Sequence, residues 1–287
     1  MTSTPRPRRR TALGVGGIVV AILVLYVTVV ALYASGSDVV SRGGDEPSAD
    51  AVSLILTPEK MDAATSRLTV SLLPKQAGEG EYTDGITVSK PFYVLVSAVA
   101  GSTAVQYEPS RLVEPTEVSF VMDGAIAEWP FDRYRVTSFM VAGVDDEKAE
   151  TIPLPTAVDV SGRGVTGWDI TMTAHDAGDG LIAVDISASR SGATVAFGIV
   201  LLTLMVIIPT LVLIVAIAVL RGRRKVEVTT LGWMGAMVFA TIPLRNFLPG
   251  SPPIGSWIDY LIVLWVLAAL VAGLVIFVIA WWRRGPA

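Results

Sequence analysis

Through residues 181–189 apolar and polar side chains alternate, with Ile182, Val184, Ile186 and Ala188 falling on one face. A period of two predicts a β-strand with one buried side. After Arg190 and Ser191 the pattern becomes an uncharged apolar run over residues 194–220, long enough to cross a bilayer as a helix. No Gly/Ser- or Pro-rich linker separates the two. A folded β domain is therefore expected to pass directly into a membrane span.

Upstream, residues 52–56, 67–73, 92–99, 116–122, 134–142 and 168–174 are also strand-like, with Pro and Gly between them. Trp168, Ile170, Met172 and Ala174 alternate with Asp169, Thr171, Thr173 and His175. With the turn residues Asp179-Gly180 between them, this segment and 181–189 predict a hairpin. Seven or more short strands broken by frequent turns indicate an all-β, β-sandwich-like domain.

Three further apolar runs lack charge altogether: residues 12–34, 228–244 and 260–282. The first is longer than the roughly 7–15 residues of a signal-peptide core, which favours an uncleaved signal anchor. Ala31-Leu32-Tyr33-Ala34-Ser35 has the small-residue form of a cleavage site and is the rival reading. The predicted order is a cytoplasmic N-terminus (1–11), span 12–34, an extracytoplasmic β domain (35–193) and span 194–220. A cytoplasmic loop (221–227), span 228–244, an extracytoplasmic Pro-rich loop (245–259), span 260–282 and a cytoplasmic C-terminus (283–287) complete it.

Charge orients this scheme. Residues 35–194 carry 11 Lys+Arg against 24 Asp+Glu, whereas the remainder carries 11 against 2. Arg6 to Arg10, Arg221 to Lys225 and Arg283-Arg284 all fall on the cytoplasmic side if the N-terminus is inside, as the positive-inside rule requires. The expected location is the plasma (inner) membrane, multi-pass, with the lipid bilayer as one partner. An acidic domain with basic flanks is not a nucleic-acid pattern. Gly232, Ala236 and Ala240, with Ala268/Ala272 and Ala269/Gly273, recur every four residues and suit close helix packing, within the bundle or between copies.

Candidate chemistry is sparse. There is no cysteine, and the lone His175 lies on the polar face of its strand, so neither a thiolate nor a histidine metal site is expected. Asp176, Asp179 and Asp185, and Asp145-Asp146-Glu147, lack the spacing of a calcium loop. No catalytic set and no cofactor motif is recognised. Trp129-Pro130-Phe131-Asp132-Arg133-Tyr134 is expected to form a rigid corner tying strands together, with Trp129, Pro130, Phe131, Asp132 and Tyr134 as its structural residues. The loop containing Arg245, Asn246, Pro249, Pro252, Pro253, Trp257 and Asp259 is stiffened by three prolines. It is read as a re-entry turn or as a docking surface for the β domain above it, and Arg245 and Asp259 could pair across it.

Pro243-Leu244-Arg245-Asn246, then Pro249-Gly250-Ser251-Pro252-Pro253-Ile254-Gly255 and Asp259-Tyr260, resemble the C-terminal signature of DUF4436, a family of actinobacterial membrane proteins of unknown function. Residues 129–134 and Arg190-Ser191 also match its pattern. The resemblance covers nearly the whole chain and implies an actinobacterial envelope protein, with no activity to transfer. The expected role is a non-enzymatic envelope binding, scaffolding or accessory protein whose partner is an envelope protein or lipid. A transporter or channel component is the alternative and an extracytoplasmic enzyme the third reading.

Overall fold

A computed structural model describes residues 20, 23–24, 26–31, 40–42, 51–76, 81–101, 103–145, 151–161 and 164–284. The expected N-terminal span is described only in part, with residues 26–31 helical. Residues 32–35 of the possible cleavage site, residues 1–11 and 285–287, and Asp146-Glu147 lie outside the described residues.

Twelve strands are described: β1 (Val40–Arg42), β2 (Val52–Asp62), β3 (Arg67–Gln76), β4 (Phe92–Val96), β5 (Ala104–Tyr107), β6 (Thr116–Val121), β7 (Asp123–Gly124), β8 (Arg133–Asp145), β9 (Thr151–Leu154), β10 (Thr156–Val160), β11 (Trp168–Gly178) and β12 (Leu181–Arg190). One sheet runs β1-β11-β12-β8-β4-β5, with β7 and β9 also paired to β8. The second runs β10-β2-β3-β6. Only the β1/β11 and β10/β2 pairs are parallel. All seven expected strands are present, most of them longer than their alternation indicated, while β1, β5, β7, β9 and β10 are additions.

The inward residues of both sheets meet in one core. Leu54, Leu56, Leu68, Leu72 and Phe120 come from the smaller sheet, and Val94, Met140, Ile170, Met172 and Ile186 from the larger. Each fully buried Leu contributes about 1.5–3 kcal/mol, so this alternation is what holds the two layers together. The β11–β12 hairpin follows the expected face, with Met172 opposite Ile186 and Ala174 opposite Val184. Its turn residues Asp179 and Gly180 both have positive φ, 54° and 76°, as a two-residue type I′ turn demands.

Three helices follow: α1 (Gly192–Leu220), α2 (Val228–Asn246) and α3 (Leu264–Arg284), the last preceded by a π-helical turn at Asp259–Val263. Helix α1 begins two residues before the expected span, and α2 continues two residues past its expected end. Arg245 and Asn246 therefore close a helix instead of opening the loop. The 29 residues of α1 extend about 43 Å at 1.5 Å per residue. Among the described residues two helical segments, Gly192–Leu220 and Asp259–Arg283, are long and apolar enough to cross a membrane. Gly273 of α3 packs on α1, where a β-carbon would lie 2.7 Å from Val212 Cγ1. Gly232 has open space around it, and Ala236, Ala268 and Ala272 are exposed. Of the small-residue rows, then, only Ala269/Gly273 serves the bundle.

Candidate functional site

Strand β12 and helix α1 are separated by one residue, Ser191. Its hydroxyl accepts from the Thr194 N–H at 3.3 Å, the N-cap that satisfies a free amide at the helix start. The Ser191 N–H donates to Gly167 O at 3.0 Å, and the Thr194 hydroxyl donates to the same carbonyl at 3.2 Å. The junction is thus hydrogen-bonded to the turn before β11 through both Ser191 and Thr194.

Arg190 stands at the inward end of β12, in parity with Ile186 and Ala188, and its side chain is 4% exposed. A buried guanidinium is tolerable only when paired. Its Nε donates to both carboxylate oxygens of Asp132 at 3.1 Å, and its Nη2 donates to Oδ2 at 3.0 Å. The Trp168 ring lies 4.1 Å beneath the guanidinium, a cation–π contact in a desolvated setting. The Tyr134 hydroxyl donates to Asp132 Oδ2 at 3.1 Å. Burial, reinforced by the Asp132 charge, pushes the Tyr134 phenol well above its ordinary range and keeps it a donor.

Residues 129–134 do form a corner, but not one that lies wholly inside the β domain. Tyr134 enters the domain core. Trp129, after the short 3₁₀ turn Ile126–Glu128 and before a cis bond to Pro130, leaves that core and joins the helical cluster with Leu202, Met205, Leu248 and Ile258. Of the corner residues, Trp129 ties the domain to the helices. Its indole N–H donates to Pro249 O at 2.7 Å. The ring lies against Gly198, where a β-carbon would sit 2.7 Å from Cη2 and 2.8 Å from Cζ2. On the other side of the loop, Gly250 takes φ +77°, and a β-carbon there would strike Arg190 Nη1. Two glycines thus make room for the two side chains that cross between the layers. Phe131, between the buried Pro130 and Asp132, points outward.

The Pro-rich loop is fixed at its base. Arg245 Nε and Nη2 donate to Asp259 at 3.1 and 2.8 Å, and Nη2 also donates to Pro253 O at 3.1 Å. The Gly255 N–H donates to Asp259 Oδ2 at 2.8 Å. Pro252 is buried, Trp257 half-buried, and Asn246 exposed outside this network. Of the expected interaction residues, the structure brings Pro249 onto the β domain and gathers Arg245, Pro253 and Asp259 around one ion pair.

Asp176, Asp185 and His175 have local partners. Asp176 Oδ1 accepts from the Gly178 N–H at 2.8 Å, and Asp185 accepts from the Thr137 hydroxyl at 2.6 Å and lies 3.7 Å from His175 Nδ1. Both His175 and Asp185 are exposed. Among the described residues no three His, Cys, Asp or Glu side chains converge as metal ligands. Arg190, Trp168, Gly198 and Gly250 were not among the candidate site residues read from the sequence, although Trp168 lay in the hairpin alternation and Arg190 and Gly250 in the family motifs. For Arg190 a signal existed, since the alternation of β12 places it on the buried face.

The class defined by this geometry is a β-rich domain of two sheets, with a buried ion pair at the end that meets the helices, joined to those apolar helices by an indole. The family model of a domain of unknown function, DUF4436, matches residues 42–188, and that of a second domain of unknown function, DUF8686, matches residues 190–284. The chain belongs to the DUF4436 family. No curated protein matches it. The two matches meet at the β12–α1 junction, so the lock joins one to the other: Trp129 and Asp132 lie in the first, Arg190, Gly198 and Pro249 in the second.

Proposed function

We propose that this protein is a four-span plasma-membrane protein whose extracytoplasmic β domain is held at a fixed angle to the bilayer to present its far end to another envelope component, without catalysing a reaction. The observation that carries the reading is the indole of Trp129 seated among the helices and bonded to Pro249. A tethered domain on a flexible linker carries little orientational information, whereas this one is clamped by side chains from both parts. The basic clusters at Arg221 to Lys225 and Arg283-Arg284 support cytoplasmic ends for α1 and α3.

The end pointing away from the helices is also built to be rigid. Strand β8 starts near the helices at Arg133, and β4 begins opposite its far end, with Tyr93 beside Gly143. The loop before β4 therefore lies at the outer tip. There the Ile86 and Thr87 N–H groups donate to Asp84 Oδ1 at 2.8 Å each, and the Thr83 hydroxyl donates to Thr87 O. Those amides hold the Asp84 carboxyl below its usual range. The loop presents Ile86, next to Leu112 through the Thr87–Leu112 bridge, and both are about two-thirds exposed. A pair of fixed apolar side chains on an acidic domain suits a protein or lipid-bearing partner better than a small polar substrate.

The test is photocrosslinking from positions 86 and 112 in native membranes. An envelope polypeptide or lipid-linked species captured there, and lost in Ile86→Asp, supports the proposal. Capture of a transport complex would move the assignment to a transporter accessory. Reporter fusions after Lys225 should score cytoplasmic and fusions near Ala100 exported, and a cytoplasmic score near Ala100 would overturn the orientation.

A further inference from the structure

We infer that Phe131 is a membrane-contact residue: the corner at residues 129–134 inserts this one ring of the β domain into the interfacial region of the outer leaflet, so that lipid is a direct partner of the domain. The inference rests on the membrane reading above and goes beyond it by assigning a lipid-facing surface to the β domain itself.

Three observations place Phe131 at that level. Trp129, two residues earlier, packs against Gly198, six residues into α1 and so about 9 Å along its axis. Helix α1 is about 43 Å long against a hydrocarbon thickness of roughly 30 Å, and with Arg221 marking its inner end, its first turns fall in the outer headgroup region. Exposed aromatic rings of the helical part lie near the helix ends on the side of the β domain: Phe197 in the second turn of α1, Phe247 capping α2 and Tyr260 in the turn leading into α3. Aromatic rings at that level are what membrane interfaces collect.

The corner is also built to present the ring. Pro130 and Asp132 on either side are buried, and Asp132 is held by Arg190 and Tyr134. Of residues 129–132, Phe131 is the one that faces out, 63% exposed, and its N–H is committed to Glu128 O at 3.0 Å. At the edge of the helices the outer leaflet is the surface continuous with the ring.

The chain has no cysteine, so single Cys probes need no background removal. Full-length Phe131→Cys, Ile86→Cys and Leu204→Cys are each labelled with an environment-sensitive fluorophore and reconstituted into phosphatidylcholine/phosphatidylglycerol vesicles. Quenching is read with doxyl groups high on the acyl chain and with aqueous iodide. Position 131 should be quenched by doxyl lipid at least about threefold more than position 86 and be correspondingly shielded from iodide, as a side chain at the headgroup–acyl boundary is. Equal iodide access at 131 and 86 overturns the inference, and so does shielding of 131 from both quenchers, which would mean that protein covers it. Leu204, mid-way along α1, separates the two levels of claim. If 204 is quenched by lipid and 131 is not, only the contact fails; if 204 is not quenched either, the membrane reading itself falls.

Discussion

The indole nitrogen of Trp129 and the carbonyl of Pro249, 120 positions apart in the chain, are joined by a 2.7 Å hydrogen bond between the β domain and the helices. Trp129→Ala would leave a hollow at this contact and cost about 3–5 kcal/mol. Trp129→Phe keeps most of the packing and loses the bond, for about 1 kcal/mol. Thermal unfolding in detergent micelles checks the order, and limited proteolysis near Ser191 should speed up in the alanine variant. Equal melting of Trp129→Ala and the parent would mean that the indole does not hold the two parts together.

Gly198 and Gly250 should be intolerant of alanine for different reasons. A β-carbon at 198 meets the Trp129 ring, whereas at 250 it meets Arg190 on a backbone with φ +77°. Gly198→Ala should therefore destabilise the parent but become nearly neutral in a Trp129→Ala background, because the side chain it displaces is gone. Gly232→Ala, in open space within α2, should instead stabilise by up to about 1 kcal/mol. Additive losses for Gly198→Ala and Trp129→Ala would show that the glycine is there for some other contact.

Alkaline pH should loosen the β domain before it affects the helices. Burial pushes the Tyr107 phenol from 10.0 up to about 12, and the Tyr134 phenol is raised as well. A group whose folded value is raised contributes stability that is complete below its unfolded value and lost as pH climbs through the folded one. The melting temperature should therefore hold to about pH 10 and fall between about 10 and 12. Tyr107→Phe should flatten part of that fall. A curve for Tyr107→Phe with the parent's slope would assign the alkaline loss to other groups.

Local pattern carried the seven main strands and the direct passage into α1, because each depends on side chains two or four positions apart. It did not carry β9 and β10, short segments interrupted by Pro153 and Pro155, of which β9 pairs with the preceding β8 in one sheet and β10 with the distant β2 at the edge of the other. The four-residue β5 was too short to show a period. The rigid loop and its Arg245–Asp259 pair were legible because both charges flank three prolines. The lock was only half legible: the corner stood out by composition, yet where Trp129 goes is decided by a contact with Pro249 that no local periodicity encodes. Arg190 sat in plain alternation with Ile186 and Ala188, and its charge made it look like the end of the strand instead of its last buried residue.

Arg190 and Asp132 allow the most decisive energetic test, because the pair is almost fully buried and both partners have further contacts. Removing one partner strands the other charge without water. Arg190→Met leaves Asp132 with only the Tyr134 hydroxyl, and Asp132→Leu leaves the guanidinium on the Trp168 face. Each single change should cost about 3–5 kcal/mol. The double variant replaces both charges with apolar groups of similar bulk and should recover most of that loss, since well-packed hydrophobic substitutes for a buried pair are often neutral or better. It should not recover orientation equally well, because the planar guanidinium that fits against Gly250 is gone. Two readouts on the same four proteins separate these effects: thermal melting, and the rate of proteolysis at the β12–α1 junction. Restored melting with faster cleavage would assign the ion pair to fixing the angle between domain and helices. A double variant as unstable as the singles would show that the losses come from packing around each residue, and the pair would no longer explain why the junction is rigid.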